Sequence, residues 1–176
     1  MAAVSIDLSA IERWRKLCEA APDRSVVAMR RAVNDAGNAA RTQVNRVLAK
    51  QMGLPVSTVR KSLVVRQAKE DLVYEIKASG GYLSLRSFGA QQRRAGVSAR
   101  PWGQRRIFRS TFIVRSLGGQ VFRRTSSARK PIVKLWGPAI PQELIRGAAP
   151  AIFEQVARER LPVRLAHHLE RLFGPE

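Results

Sequence analysis

The sequence predicts an α+β fold: long N-terminal helices packed on an antiparallel β-sheet, followed by a C-terminal helical arm. Three observations predict it. Apolar residues recur at intervals of three and four as far as Leu48, alternate in strand fashion from about Leu63 to Arg124, and return to helical spacing after Pro141. Glycine and proline mark the changes of period, at Gly53 and Pro55 and again at Gly137-Pro138. Charge follows the same partition. Between Lys77 and Gln142 there are 14 Lys or Arg residues and no Asp or Glu, while nearly all the acids sit in the flanking helical segments.

The elements follow in order. Asp7 or Ser9 can cap a first helix running to about Ala20, with Leu8, Ile11, Trp14 and Cys18 near helical spacing. Pro22 breaks it, and Pro22-Asp23 opens a second, long helix. Val26, Val27, Val33, Gly37, Ala40, Val44, Val47 and Leu48 form its apolar stripe, and the alanines Ala28, Ala32, Ala36, Ala39 and Ala40 make it thin. Gly53 and Pro55 end it. A short helix over 57–62 follows, with Ser57 as candidate cap.

Strand spacing then takes over. Glu70-Asp71 is the expected turn between strands 64–69 and 72–78, and Gly80-Gly81 leads to a strand through Tyr82, Leu83, Leu85 and Phe88. Residues 89–104 read as a polar, arginine-rich loop. Residues 106–115 read as one strand, with Ile107, Thr111 and Ile113 on one side and Phe108, Phe112 and Val114 on the other. Gly118-Gly119 is a hairpin turn into Val121–Arg124. Pro131 and Gly137-Pro138 are expected to shape a rigid turn before the last helix, about Pro141 to Phe173, which Pro150 and Pro162 kink or divide. The domain reading is therefore an N-terminal helix over 1–22, an α+β domain over 23–140 carrying the basic loop 89–104, and a helical segment over 141–176.

Composition excludes several classes. A chain of 176 residues with 45% hydrophobic content can bury a core. The single Cys18 rules out an internal disulfide framework. No apolar run approaches the ~20 residues of a membrane span, and the N-terminus lacks the basic start and apolar block of a secretion signal. The net charge of +19 points to polyanions or acidic protein surfaces as partners.

Catalysis has no residues to stand on. His167 and His168 are adjacent, so on a helix they diverge by roughly 100° and cannot converge on one metal ion. No phosphate-binding glycine loop or nucleophile elbow is present, so no cofactor is expected. Glu154 and Arg158 stand at the spacing of a solvated ion pair. Ala49 to Val59 imitates a helix-turn-helix, with Gly53 at the turn, which keeps a DNA-binding regulator or nucleoid-type protein as the alternative reading. The simpler reading is a helix cap at Gly53 followed by a connector helix. An RNA-binding protein rests on charge alone and ranks lowest. In the basic loop, Arg93, Arg94, Arg100, Arg105 and Arg106 suit phosphates or acidic neighbours. Trp102 within it suits an interface anchor.

Two stretches together carry a resemblance. Leu85-Arg86-Ser87-Phe88-Gly89-Ala90-Gln91-Gln92-Arg93-Arg94-Ala95-Gly96-Val97-Ser98-Ala99 resembles the FGARQ-x-x-x-GVS-like loop of the phage minor tail protein Z family. Phe108-Arg109-Ser110-Thr111-Phe112-Ile113 and Val121-Phe122-Arg123-Arg124, then Lys130-Pro131-Ile132-Val133-Lys134-Leu135-Trp136-Gly137-Pro138-Ala139-Ile140-Pro141, resemble that family's following strands and its PI-x-x-L-(Y/W)-GP signature. The resemblance covers roughly Asp23 to Ala151. Gln92 stands where Thr is common, and Trp136 where Tyr is common.

The resemblance implies a structural virion protein of a long-tailed phage or prophage, not an enzyme. It implies action at the head-proximal end of the tail, at the head–tail (neck) junction. It further implies a ring of copies of itself, often six-fold, around the DNA path, made in the host cytoplasm and retained in the virion. The partners it implies are the tail tube or tail terminator, the head–tail connector proteins and packaged DNA, with no membrane. Arg93, Arg94, Arg100, Arg105 and Arg106 become candidate contacts to DNA or a neighbouring ring. Phe88, Trp102, Leu135 and Trp136 become candidate packing or interface anchors.

Overall fold

The computed structural model describes Lys16, Glu19 and residues 21–174. The helix expected up to Ala20 falls outside these apart from Lys16 and Glu19, which are helical. The long helix α1 spans Pro22–Met52 and the connector α2 spans Val56–Ser62. Ten short strands follow: β1 Leu63–Arg66, β2 Glu75–Ala78, β3 Tyr82–Ser84, β4 Gln91–Arg93, β5 Gly96–Ala99, β6 Arg106–Arg109, β7 Thr111–Val114, β8 Gln120–Arg124, β9 Ile132–Lys134 and β10 Trp136–Ala139. Helices α3 (Ile140–Arg146) and α4 (Ala149–Phe173) close the chain. The α+β class is as the periodicity predicts. Its antiparallel strands, however, form four small sheets, β1-β2, β10-β3, β4-β5-β6 and β7-β8-β9, rather than one.

The chain forms two compact units. One holds the described residues of Met1–Ala40 with Arg66–Glu75 and Glu154–Glu176; the other holds Arg41–Val65 and Ile76–Phe153.

In the first unit the small residues, not the valines, make the buried row. Ser25, Ala28, Ala32, Ala36 and Ala40 are buried, whereas Val26, expected in the apolar stripe, is 41% exposed. Alanine combines the best helix propensity with a side chain short enough for close approach. At Gly37 a Cβ would run into the Tyr74 ring, so this contact requires glycine. Asn34 then holds the turn backbone: its Nδ2 donates to Ala68 O at 3.1 Å and its Oδ1 accepts from Ala68 N at 2.8 Å. Asp71 accepts from Arg66 at 2.5 Å and from Val73 N at 3.3 Å, which fixes the expected Glu70-Asp71 turn. On α4, His168 is buried with its Nε2 2.9 Å from Asp35 Oδ2, and His167 is exposed.

In the second unit, Val44, Leu48, Met52, Val59, Leu85, Phe88, Val97 and Val121 form the centre of a continuous core. Helix α1 stops where glycine allows it. Gly53 takes φ +74°, and both Gly53 N and Leu54 N donate to Ala49 O, at 2.9 and 3.0 Å, closing the helix end with a left-handed cap. Ser57 does not cap α2: the residue before the helix is Pro55, and no side chain caps it.

Five further expectations are corrected. Residues 89–104 are not a loop but contain β4, β5 and a 3-10 turn at Pro101–Gly103. Gln91, Gln92 and Arg93 are all exposed and Gly96 to Ala99 all buried, so neither strand shows the alternation by which strands are read. The single strand over 106–115 is broken at Ser110, which takes φ +57°. Here the chain leaves β5 for β8, and the left-handed residue resets the phase. Phe108 and Ile113, expected on opposite sides, both pack on the core. Strand β3 gives way to a 3-10 turn over Leu85–Phe88. Gly137-Pro138 lies inside β10, where a Cβ on Gly137 would strike the Phe88 ring. The C-terminal helical region divides at Gly147, not at a proline; Pro150 sits in the first turn of α4 and Pro162 inside it.

Candidate functional site

The basic residues are organised by the β4-β5-β6 sheet. Arg93 pairs with Gly96, and Gly96 with Arg109, so both arginines stand in one row across the sheet. They are two strand spacings apart, about 10 Å. The neighbouring row holds Gln91, Ser98 and Ile107 on the same face, because side chains alternate along a strand. Arg105 folds over this face, its Nη1 donating to Ser98 Oγ at 3.2 Å. Arg93 is itself held by Gln91 Oε1 at 2.6 Å. Arg94 occupies the turn between β4 and β5 and is exposed.

The five candidate arginines therefore do not share a surface. Arg93 and Arg105 do, together with Arg109, which residue spacing alone had not singled out. Arg106 pairs with Ala99 and lies in phase with Phe108, on the opposite face. Arg100 stands apart at the 3-10 turn, its backbone N–H donating to Phe88 O at 2.9 Å. Strand pairing is the only signal that could have grouped Arg109 with Arg93, since they are far apart in sequence.

The candidate anchors also separate. Phe88 is fully buried and belongs to the core, and Leu135 packs against it partly buried, its N–H donating to Val121 O at 2.9 Å. Trp102 and Trp136 remain 46% and 53% exposed. Trp136 carries the Lys134 ammonium 4.1 Å from its ring centroid, a cation–π contact. Trp102 takes φ +54°, uncommon for a bulky residue, and its indole Nε1 donates to Glu143 Oε1 at 3.0 Å. Gln51 donates to the other oxygen of Glu143 and accepts from Ala148 N at 3.3 Å. The Trp102 indole is thus held by Glu143 of α3, which Gln51 of α1 supports, while the side chain stays half exposed.

The helix-turn-helix-like segment adopts the simpler form. The seven-residue α2 buries Val59 completely and passes directly into β1 at Leu63. Glu154 and Arg158 form the expected solvated pair, 2.6 Å apart. Among the described residues no group of three His, Cys, Asp or Glu is placed to hold a metal ion, and no helix is long and apolar enough to cross a membrane.

The structure is an α+β fold with a basic, solvent-exposed sheet face. The family model for prophage minor tail protein Z (GPZ) matches residues 9–173. The chain belongs to this family and is a structural tail protein of a phage virion. Comparison with curated proteins and with solved structures finds no match.

Proposed function

We propose that this protein completes the head-proximal end of the tail and acts at the head–tail junction, as a ring of identical subunits around the DNA path. The observation that carries the reading is the acid-free stretch from Lys77 to Gln142, within which the β4-β5-β6 sheet presents Arg93 and Arg109 to solvent on one face. Such a field suits a surface facing a polyanion or an acidic neighbouring ring. A closed ring needs two different complementary patches on each subunit. The polarised charge supplies one basic patch, and the helical segments carry the acids. Within the basic patch, Arg93, Arg105 and Arg109 make the contact surface, with Arg94 at its edge. Trp102 and Trp136, outside that sheet, are exposed aromatic anchors for a neighbour.

The test is electron microscopy of lysates from a phage carrying a stop codon in this gene. Filled heads beside separate, full-length tails are expected. Tails of uncontrolled length would instead assign control of tail length. Normal virions would overturn the reading and make duplex-DNA binding across a salt series the next measurement. In the intact gene, Arg93→Glu with Arg109→Glu is expected to abolish tail joining while leaving the protein folded; wild-type titres would remove the sheet face from the contact.

A further inference from the structure

A second candidate surface is a cleft with a different set of cations. The end of α1, the start of α2 and the Pro101–Gly103 turn enclose a cleft of about 380 Å³. Two glycines make it possible. A Cβ on Gly53 would meet Arg100 O at 2.5 Å and Gly103 N at 2.7 Å, and a Cβ on Gly103 would meet Lys50 O at 3.1 Å. The two backbones approach closely because neither position carries a side chain. Three cations, Arg46, Lys50 and Arg100, line the cleft, and none has a carboxylate partner among the described residues. Leu54 and Val56 supply apolar wall, and Val56 is 44% exposed.

We infer that this cleft takes an acidic peptide segment bearing an aliphatic side chain, supplied by a different protein. Concavity and an apolar wall argue for a side chain rather than a duplex, whose phosphates lie on a convex surface and need only cations. The charge balance argues against a second copy. The chain holds 32 Lys or Arg against 13 Asp or Glu. Asp71 is paired with Arg66 and Glu154 with Arg158, and the half-buried Glu143 is engaged by Trp102 and Gln51. Cations outnumber acids more than twofold, so a more acidic protein complements the three cations better than a second copy does. The inference does not depend on the ring or on the place of the protein in the tail.

Fluorescence anisotropy of the full chain tests it with three labelled probes: an acidic peptide carrying one leucine, the same peptide with serine for leucine, and a 20-base-pair DNA duplex. Leucine is expected to tighten peptide binding by about tenfold or more, the effect of burying one such side chain. Val56→Trp fills the cleft without changing charge and replaces an already exposed residue. It is expected to weaken the leucine peptide by a similar factor and leave duplex affinity unchanged. Lys50→Glu with Arg100→Glu is expected to abolish peptide binding. Equal affinity for the two peptides, or indifference to Val56→Trp, would overturn the inference. So would a loss of duplex affinity in Val56→Trp equal to the loss of peptide affinity, since the cleft would then take phosphate.

Discussion

The indole of Trp102 donates its N–H to Glu143, across 41 residues of sequence and at 3.0 Å, while the ring itself stays 46% exposed. The hydrogen bond fixes the direction of a side chain whose backbone is already in the left-handed region. An exposed aromatic held in one orientation can present its face to a partner with little further entropy loss.

Trp102→Phe keeps an aromatic ring, though a smaller one, and removes the donor. It is expected to cost about 0.5–1.5 kcal/mol in urea unfolding. Glu143→Ala should cost more, about 1–3 kcal/mol, because Gln51 and Trp102 both lose their acceptor. A Glu143→Ala effect no larger than that of Trp102→Phe would mean that Gln51 gains nothing from the pair.

Gly37→Ala would raise intrinsic helix propensity by roughly 1 kcal/mol at a mid-helix position. Its methyl group, however, would enter the Tyr74 ring. Net destabilisation of about 1–3 kcal/mol is expected from overpacking. Gly81→Ala meets nothing within 4 Å and is the control, expected within about 0.5 kcal/mol of wild type. Thermal and chemical unfolding of the pair measure the difference directly.

Thr111 is buried, and its hydroxyl accepts from Val97 N at 2.9 Å and donates to Phe108 O at 2.5 Å. Thr111→Val keeps the shape and orphans both backbone groups at the corner where the chain changes sheets. A loss of about 1–3 kcal/mol is expected, whereas Thr111→Ser should retain most of the stability. Hydrogen exchange at Val97 reports the broken bond, and unchanged protection there would refute the assignment.

The Arg66 guanidinium beside Asp71, aided by the Val73 N–H, holds the Asp71 carboxyl below its usual range. The sign follows from linkage. A depressed folded-state pKa stabilises the turn above the unfolded value and loses that contribution as pH falls through the folded value. Amide exchange at Val73 should therefore quicken in acid, below about pH 4, and Asp71→Asn should abolish this acid dependence. The pair is solvent-exposed, so high salt should weaken it.

Much of this architecture was legible in the residues. The α1 helix, its glycine stop, the Glu70-Asp71 and Gly118-Gly119 turns and the α+β class follow from period and punctuation, because local backbone preference and one-sided burial write themselves into spacing. The charge partition needs no coordinates. The motifs around Phe88 and Trp136 carried the family resemblance for the same reason: Phe88 and Gly137 must fit one another, and residue identity is constrained wherever packing is tight.

What tertiary structure alone decided is which residues stand together. Ser110 takes φ +57° beside a Thr111 that bridges Val97 and Phe108, and no spacing rule contains that bridge. The β4-β5 hairpin has no alternation to read, since Gly96 to Ala99 are buried throughout. Strand register placed Arg93 beside Arg109 and turned Arg106 to the other face. The Gly53–Gly103 approach, and the cleft it opens, joins positions 50 residues apart. Sequence records the preferences of neighbours along the chain; pairing across it is set by packing and hydrogen bonds that form only when the distant partners meet.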